Sequence, residues 1–560
     1  MQSPHSFRLK IDFLMPVTVR CGDPAFDDLP VAAEEWLRAS LLCVALDGSD
    51  LTRTHLPGAG DSIVRGYSNT SAPLIDLNDH AQALWGGAFF EADCSSATDA
   101  QLRAPRPDGS LFDTLRPLPS GEQPPWDSFD DRLRNIRWER EPLQAQSESW
   151  AVLAAHRAWQ TSGDKHALLS RLPVLERAIE YSFHHPQRWS SELELPKRAF
   201  TLDAWPIEFG REPNAPSSTR LAFDESTKWC VHAGDACRLF GACRALSQLF
   251  GAVGQVSDQE RWRERATHLE AQLNSVGWNG SFYSHQIHLD AVRLRGVDEA
   301  RQLAACNAWA MNSGLASQEQ CASILREYMR RRELNLETSF CEWWSIQPPF
   351  PVEMFGVAPA QSANGGVWPV VGGELARAAL THGQESYGVE TLRRFGDLAV
   401  KSRRVWPWYG LDGTPGRSIE YSNRTFATTS HDPAAASSFL RALVEGLCGV
   451  RDEEALFSSI TLAPRWPATG QATAEVEVSY AGNPAYVSYR WALDGGRMTL
   501  DYESKAKHVA FDLLLPRGNL PERVALNGRT HEYALVPVEK SKYVRFETDK
   551  KRGAVAITLK

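Results

Sequence analysis

Two carboxyl groups, Asp203 and Glu208, stand on either side of Trp205 and Pro206 in the segment KRAFTLDAWPIEFGREPNAPSSTRLAFDESTKW (197–229). This is the most apolar part of that segment, and burial there raises a carboxyl pKa into the working range of a general acid. A salt bridge to Arg198 or Arg211 is the competing structural use of the same groups. Glu342, in FCEWWSIQ, is another carboxylate in an aromatic setting, suited to accepting two hydroxyl hydrogen bonds. Tryptophans recur beside Pro or Gly in DAWPIEFG, CEWWSIQPPFP, GGVWPVVGG and RVWPWYGLDG, placing Trp205, Trp343, Trp368, Trp406 and Trp408 in loops. Each offers a flat apolar face with an N–H donor, a platform for a pyranose ring; plugging a seam between domains is the plainer alternative. In QSANGGVWPVV (361–371), Asn364 can bridge hydroxyls through donor and acceptor, and Gly365 and Gly366 let the backbone approach a ligand. Trp368 adds a stacking face, and Pro369 fits a first helical turn.

The chain that must position these groups has 560 residues, enough for two or three domains. Its 43% apolar and 23% charged content is that of a globular protein, and no run approaches the roughly 20 apolar residues of a membrane span. A net charge of −9 argues against a nucleic-acid partner. The first residues lack the basic start and apolar run of a signal peptide. The ten cysteines show no CxxC pair, so a reducing, cytoplasmic setting is expected, with Cys230, Cys237 and Cys243 as small buried residues of one helix. No metal-ligand spacing, dinucleotide fingerprint or phosphate-cradling glycine loop is present, and no cofactor is expected. Self-association is left open.

From residue 146 the apolar period is helical. SESWAVLAAHRAWQTSGDKHALLSRLPVLERAIEYSF reads as helix, turn, helix, with Gly163 as a left-handed stop and Asp164 as the next cap. Comparable pairs follow as far as DPAAASSFLRALVEGLCGV, where Asp432 reads as an N-cap, and 29–46 and DLNDHAQALWGG add earlier helices. Eleven or twelve helices with short turns inside pairs and long loops between them describe an (α/α)6 barrel of helical hairpins, with no fixed repeat to indicate a solenoid. After residue 455 short alternating runs separated by Gly, Asn and Asp turns describe a C-terminal antiparallel β-sandwich. The expected division is an N-terminal region at 1–135, contributing the first barrel helices and mostly loop over 50–135; a catalytic barrel at 136–452; and the sandwich at 455–560.

This layout resembles the six-hairpin glycosidase superfamily, which includes α-L-rhamnosidases, amylo-α-1,6-glucosidases, trehalases and cellobiose phosphorylases. SIQPPFP…QSANGGVWPVV is similar to the phosphorylases' Pro-Pro-Phe turn leading to an Asn-Gly-Gly helix start. The run DPAAASSFLRALVEGLCGV resembles the helix that closes the barrel, and VAFDLLLPRGNLPERVALNG the rhamnosidases' C-terminal sheet. The resemblance implies a general acid in the loop holding Asp203 and Glu208, Asp203 slightly preferred, and a general base at Glu420 with Tyr421 beside it in SIEYSN. DDRLRNIRWEREPLQAQSESW (130–150) is similar to a rhamnosidase element leading into a barrel helix, which would put Trp138 and Glu139, or Glu141, at a sugar pocket; a solvated charged helix start is the alternative. Asp412 is a lesser late carboxylate.

The reading is an exo-acting, inverting glycoside hydrolase acting on an oligosaccharide or glycoside. A phosphorylase is the first alternative, with Arg424, Thr428, Thr429 and His431 as phosphate donors. A non-catalytic carbohydrate-binding protein is the second. An isomerase with paired histidines is disfavoured by the scatter of His along the sequence.

Overall fold

The computed structural model describes residues 15–45, 63–69, 74–104, 106–118, 127–132, 135–200, 223, 225, 227–292, 294, 296–352, 357–421 and 424–560, with backbone alone at 45, 63, 419–421 and 424–426. Among these residues twelve helices have eight residues or more: α1 Leu29–Ser40, α2 Leu77–Gly87, α3 Ser96–Arg103, α4 Ser147–Ser162, α5 Lys165–His184, α6 Ala233–Ala252, α7 Val256–Gly277, α8 Cys306–Ser313, α9 Gln318–Leu334, α10 Pro369–Thr381, α11 Glu385–Phe395 and α12 Pro433–Arg441.

The even-numbered helices pack in a cycle. α2 lies against α4, α4 against α6, α6 against α8, α8 against α10, α10 against α12, and α12 returns to α2. The odd-numbered helices back onto this ring: α1 on α12, α5 on α4, α7 on α6, α9 on α8 and α11 on α10. Small residues permit the closure. A Cβ on Gly86 of α2 would lie 2.7 Å from the Ser437 Cα of α12, and the Ser437 hydroxyl accepts the Gly86 N–H at 2.8 Å. Gly163 has φ 64 at the end of α4, and Asp164 accepts the His166 and Ala167 N–H groups at the start of α5, as the sequence predicts. Asp432 accepts the Ala435 N–H at 2.9 Å, and Pro433 occupies the first turn of α12.

Within each hairpin the turn is short, so the described residues directly preceding α4, α6, α8, α10 and α12 lie at one end of the ring, beside the N-termini of the even helices. Among the described residues of 50–135 are strands and helices that the composition does not indicate. Leu41–Ala45 pairs with Ile63–Tyr67, and Ile75–Asp76, Thr114–Pro117, Ile136–Arg140 and Asp127–Asp131 form a four-stranded sheet in that order. A small separate core of Leu42, Val64, Ile75, Phe112, Leu115 and Trp138 holds these strands together.

Two sheets end the chain. One runs Val17–Arg20, Thr473–Ser479, Tyr486–Asp494, Arg497–Ser504, Arg552–Leu559, Pro521–Leu526 and Arg529–Thr530 in space, antiparallel throughout. The other runs Val450–Asp452, Ser459–Leu462, His508–Leu514, Ser541–Thr548 and Ala534–Val538, with one parallel pair, Ser459–Leu462 beside His508–Leu514. Inward residues alternate along the strands, and Tyr502 of the first sheet meets Phe511 of the second edge to face at 5.2 Å. Buried Arg465 ties the sheets to the short-turn end of the ring, donating to the Leu380 carbonyl at 2.9 Å and to the Asp512 carboxylate at 2.6 Å. The opposite end keeps the long loops.

Candidate functional site

Several carboxyl groups gather at the long-loop end. Asp76 caps α2, its Oδ1 accepting the Asn78 and Asp79 N–H groups at 2.8 and 3.1 Å. Asp79 follows on the face of α2 that also carries Gln82 and Trp85, the face turned to the ring axis. It is half-buried, and burial, with the charges of Asp76 and Asp432, holds its pKa well above the usual carboxylate range. Asp432 itself is pushed up to about 6 by burial, its cap hydrogen bonds opposing the rise. Asp113 lies beneath, fully buried, and accepts the Glu141 N–H at 2.8 Å. Burial raises Asp113 well above the usual range, and the nearby charges of Glu141 and Asp76 act in the same direction against Arg140. Burial thus favours the protonated form of Asp79 and Asp113, the state a proton donor needs, while Asp432, at about 6, is largely ionised at neutral pH.

Ion pairs fix the surrounding backbone. Arg140 donates to Glu148 at 2.8 Å and to the Leu111 carbonyl at 2.6 Å, pinning both loops to the start of α4. Arg198 grips Asp235 of α6 through two bonds of 2.5 and 2.6 Å, and Gln146 donates to the same carboxylate at 2.6 Å. Histidines scattered along the sequence are not all scattered in space. The His232 and His285 rings are 6.2 Å apart, and Glu299 lies 2.6 Å from His288 Nε2 and 3.8 Å from His285 Nε2. Burial lowers the pKa of both His232 and His285, the latter to about 4, so they stay neutral.

Below this mouth the axis holds a cavity of about 200 Å³, with every even-numbered helix contributing to its wall. Arginines dominate its charged lining: Arg238 and Arg244 of α6, Arg377 of α10 and Arg441 of α12, with Glu374 of α10. Tryptophans serve the arginines here. The Arg238 guanidinium lies 4.2 Å from the Trp150 ring and 4.9 Å from the Trp309 ring, and Arg441 lies 4.4 Å from Trp85.

The sequence-derived site residues fall into three groups. Asp203, Trp205 and Glu208 lie outside the described residues. Glu420 and Tyr421 have their backbone in the hairpin Ser418–Tyr421 with Arg424–Ala427, and their side chains lie outside the description. The others have partners inside the protein. Glu342 is fully buried, bridged by Arg394 at 2.7 and 2.6 Å and bonded by the Tyr387 hydroxyl at 2.5 Å, so it is a core ion pair rather than a hydroxyl acceptor. Trp343 packs on Phe439, ring centroids 5.5 Å apart. The Asn364 amide bonds to both main-chain groups of Phe350 and to the Val357 carbonyl, locking a loop instead of flooring a pocket. Gly365 has φ 91 and donates to the Ser345 hydroxyl, while Trp368 donates to the Ser362 carbonyl. Trp138 is buried in the small core, and Glu139 pairs with Arg116 at 2.6 Å. Trp406 and Trp408 are half-buried, Trp408 donating to the Ser418 carbonyl and lying over Gly416.

Two features were absent from the sequence reading. Asp79 had a signal, since Asp79, Gln82 and Trp85 recur three apart in DLNDHAQALWGG. The axial arginines had one as well: lone arginines inside otherwise apolar helices, as in GDACRLFGACRAL, GELARAAL and SSFLRAL.

This fold, a cycle of helical hairpins ending in two sheets, is similar to that of solved rhamnosidases. The GH78 family rhamnosidase of Bacillus sp. GL1 matches it with a TM-score of 0.54 at 16% identity, over 89% of this chain and 43% of its own. An α-L-rhamnosidase from Dictyoglumus thermophilum matches with 0.56 at 11% identity, over 97% of this chain and 50% of its own. One from Aspergillus terreus gives 0.50 at 12%, over 95% and 50%. The chain thus spans about half the length of these proteins or less. No protein-family model matches the sequence, and no curated protein sequence does. Among the described residues no helix is long and apolar enough to cross a membrane, and no group of side chains is arranged to hold a metal ion.

Proposed function

We propose that the chain is a glycoside hydrolase, with the cycle of even-numbered helices as an (α/α)6 catalytic barrel and the active site at its long-loop end. The observation that carries this reading is Asp79, a partly accessible carboxyl on the axis-facing side of α2, held protonated by burial and two neighbouring carboxylates. A glycosidic bond is opened by a protonated carboxyl that delivers its proton to the leaving oxygen, opposite an ionised carboxylate that activates water. Asp79 takes the first role in this proposal, and Glu420, in the segment leading to α12, takes the second. Asp203 and Glu208, which precede α6 in the sequence, are the sequence-derived candidates for the acid. Glu141, whose N–H bonds Asp113 just after the strand Ile136–Arg140, is favoured over the ion-paired Glu139 as the group of the rhamnosidase-like element. Exo action and inversion follow from the resemblance; inversion requires the acid and base about 6.5–9.5 Å apart.

The test is turnover of an aryl-glycoside and disaccharide panel, rhamnosides included, with and without phosphate, by wild type, Asp79→Asn, Asp203→Asn, Glu208→Gln and Glu420→Gln. Phosphate-independent release, lost in Asp79→Asn and Glu420→Gln, is the expected result. Release that requires phosphate and survives Glu420→Gln makes the chain a phosphorylase. Sugar binding without turnover makes it a carbohydrate-binding protein.

A further inference from the structure

The strand register of the second C-terminal sheet lines up side chains on its outer face. Arg451 stands opposite Thr461, Thr461 opposite Ala510, and Ala510 opposite Glu547. Two residues along, Asp512 stands opposite Arg545, and Arg545 opposite Ala534. Side chains two apart on a strand share a face, so the two rows point the same way, while Phe511 between them belongs to the core. Both rows line one groove of about 720 Å³, with the loop His531–Tyr533 as its wall. Ala510 and Ala534 offer only a methyl group each, so the floor is low between the longer side chains around it. The groove starts beside the short-turn end of the ring of helices, where Arg451 Nε donates to the Glu445 carbonyl at 3.3 Å.

The ionic groups of the groove are largely matched. Asp512 accepts from Arg465 at 2.6 Å and from Arg545 at 2.5 Å, and Glu547 lies 3.6 Å from His508. What remains is hydrogen-bonding capacity rather than net charge. Arg451 bonds only through Nε among the described residues, so its Nη groups are left without an acceptor there. Glu547, across the row, is an exposed acceptor. Tyr533 is 38% exposed, and its hydroxyl has no partner among the described residues. His531 anchors the loop that presents it, with Nδ1 2.8 Å from the Glu532 carbonyl oxygen and its ring 4.9 Å from that of Phe546. Donors and acceptors on either side of a methyl floor, beside an exposed aromatic ring, suit a ligand with many hydroxyls and apolar ring faces. A polyanion would meet Glu532 and Glu547 in the same groove. An added peptide strand pairs with a sheet edge, whereas this groove crosses a face. From Arg451 to Glu547 the row crosses three strand spacings, about 14 Å, which is longer than one sugar ring.

We propose that this groove binds a neutral oligosaccharide spanning more than one sugar unit, with Arg451 and Glu547 bonding its hydroxyls and Tyr533 stacking on one of its rings. The site is independent of the hydrolase proposal, because it lies on the C-terminal sheet and uses none of the mouth carboxyls.

The test is calorimetric titration of the full chain with maltotriose, cellotriose, mannotriose and xylotriose, for wild type and Tyr533→Ala, with glucose and a heparin oligosaccharide as controls and thermal melts to establish folding. Amide hydrogen exchange with and without the tightest trisaccharide then locates the site. At least one trisaccharide should bind, and glucose at least about tenfold more weakly, because a single unit reaches only part of the row. Tyr533→Ala should weaken binding by about tenfold, the scale of one lost aromatic contact. Exchange should slow at 531–534 and 545–547. The inference is overturned by no trisaccharide binding at about 10 mM, by glucose binding as tightly, or by heparin binding more tightly than every trisaccharide. It is also overturned by folded Tyr533→Ala binding like wild type, or by protection that leaves 531–534 unchanged. Binding is the readout throughout, so a chain that hydrolyses nothing would leave the inference standing.

Discussion

Replacing Asp432 by Asn isolates the electrostatics of the mouth. The side chain is 2% exposed and caps α12 through a 2.9 Å bond from the Ala435 N–H. Asn is as good an N-cap as Asp, so the substitution removes the charge while keeping the cap. In the folded chain burial moves the carboxyl from its ordinary 3.8 to about 6. The sign follows from proton binding. Between those two values the folded state holds a proton that the unfolded state has released, so folding stability is greatest below about pH 4 and falls as pH rises to about 6. A shift of about two units corresponds to about 3 kcal/mol. Urea unfolding of wild type and Asp432→Asn at about pH 4 and pH 7.5 should therefore show the variant gaining about 3 kcal/mol on wild type across that range. A second readout comes through Asp79, whose pKa is raised partly by the Asp432 charge. Without that charge the alkaline limb of the activity profile should move to lower pH. A difference between the two proteins that stays constant with pH, or that favours wild type as pH rises, would refute the assignment of Asp432 as a buried, reluctantly ionised carboxyl.

Other perturbations probe separate parts of the molecule. Asp79→Asn should lower kcat by about 10²–10⁴-fold, the range for a general acid, with the thermal melt little changed. Arg198→Met leaves the Asp235 carboxylate buried without its two strong bonds and should destabilise the chain by about 3–5 kcal/mol, read by urea unfolding. Glu342→Gln should lose a similar amount by the same assay, because Arg394 and the Tyr387 hydroxyl both depend on that carboxylate. Gly163→Ala should cost about 1–2 kcal/mol, since φ is 64 and the added Cβ would lie 2.9 Å from Leu456 Cδ1.

The helical hairpins were legible because their signals are local. Gly163 and Asp164, Pro369, and Asp432 with Pro433 act within one turn of their own positions, and the alternating runs after residue 455 act within one strand. The first sheets were not, because they are built from strands as short as Ile75–Asp76, and one of them, Thr114–Pro117, contains a proline. Site residues were harder for a different reason. Glu342 looks free in sequence, yet Arg394, which neutralises it, stands some fifty residues later. Asn364 reads as a sugar contact until the loop to Phe350 folds against it. Lone arginines in apolar helices marked the arginine-lined cavity, but periodicity separates buried from exposed faces and cannot distinguish an axis from a core.

The strand Val17–Arg20 has a consequence for how this protein is made. Val17 pairs with Val478 and Arg20 with Glu475, so this strand finds its neighbour only after about 460 further residues have been added. At roughly 5–20 residues per second that is between about half a minute and a minute and a half. For that interval the strand's hydrogen-bonding edge waits unmatched, whereas α12, complete at Arg441, is made before the partner strand. A ribosome that stops before residue 473 would therefore leave Val17–Arg20 without the strand that pairs with it.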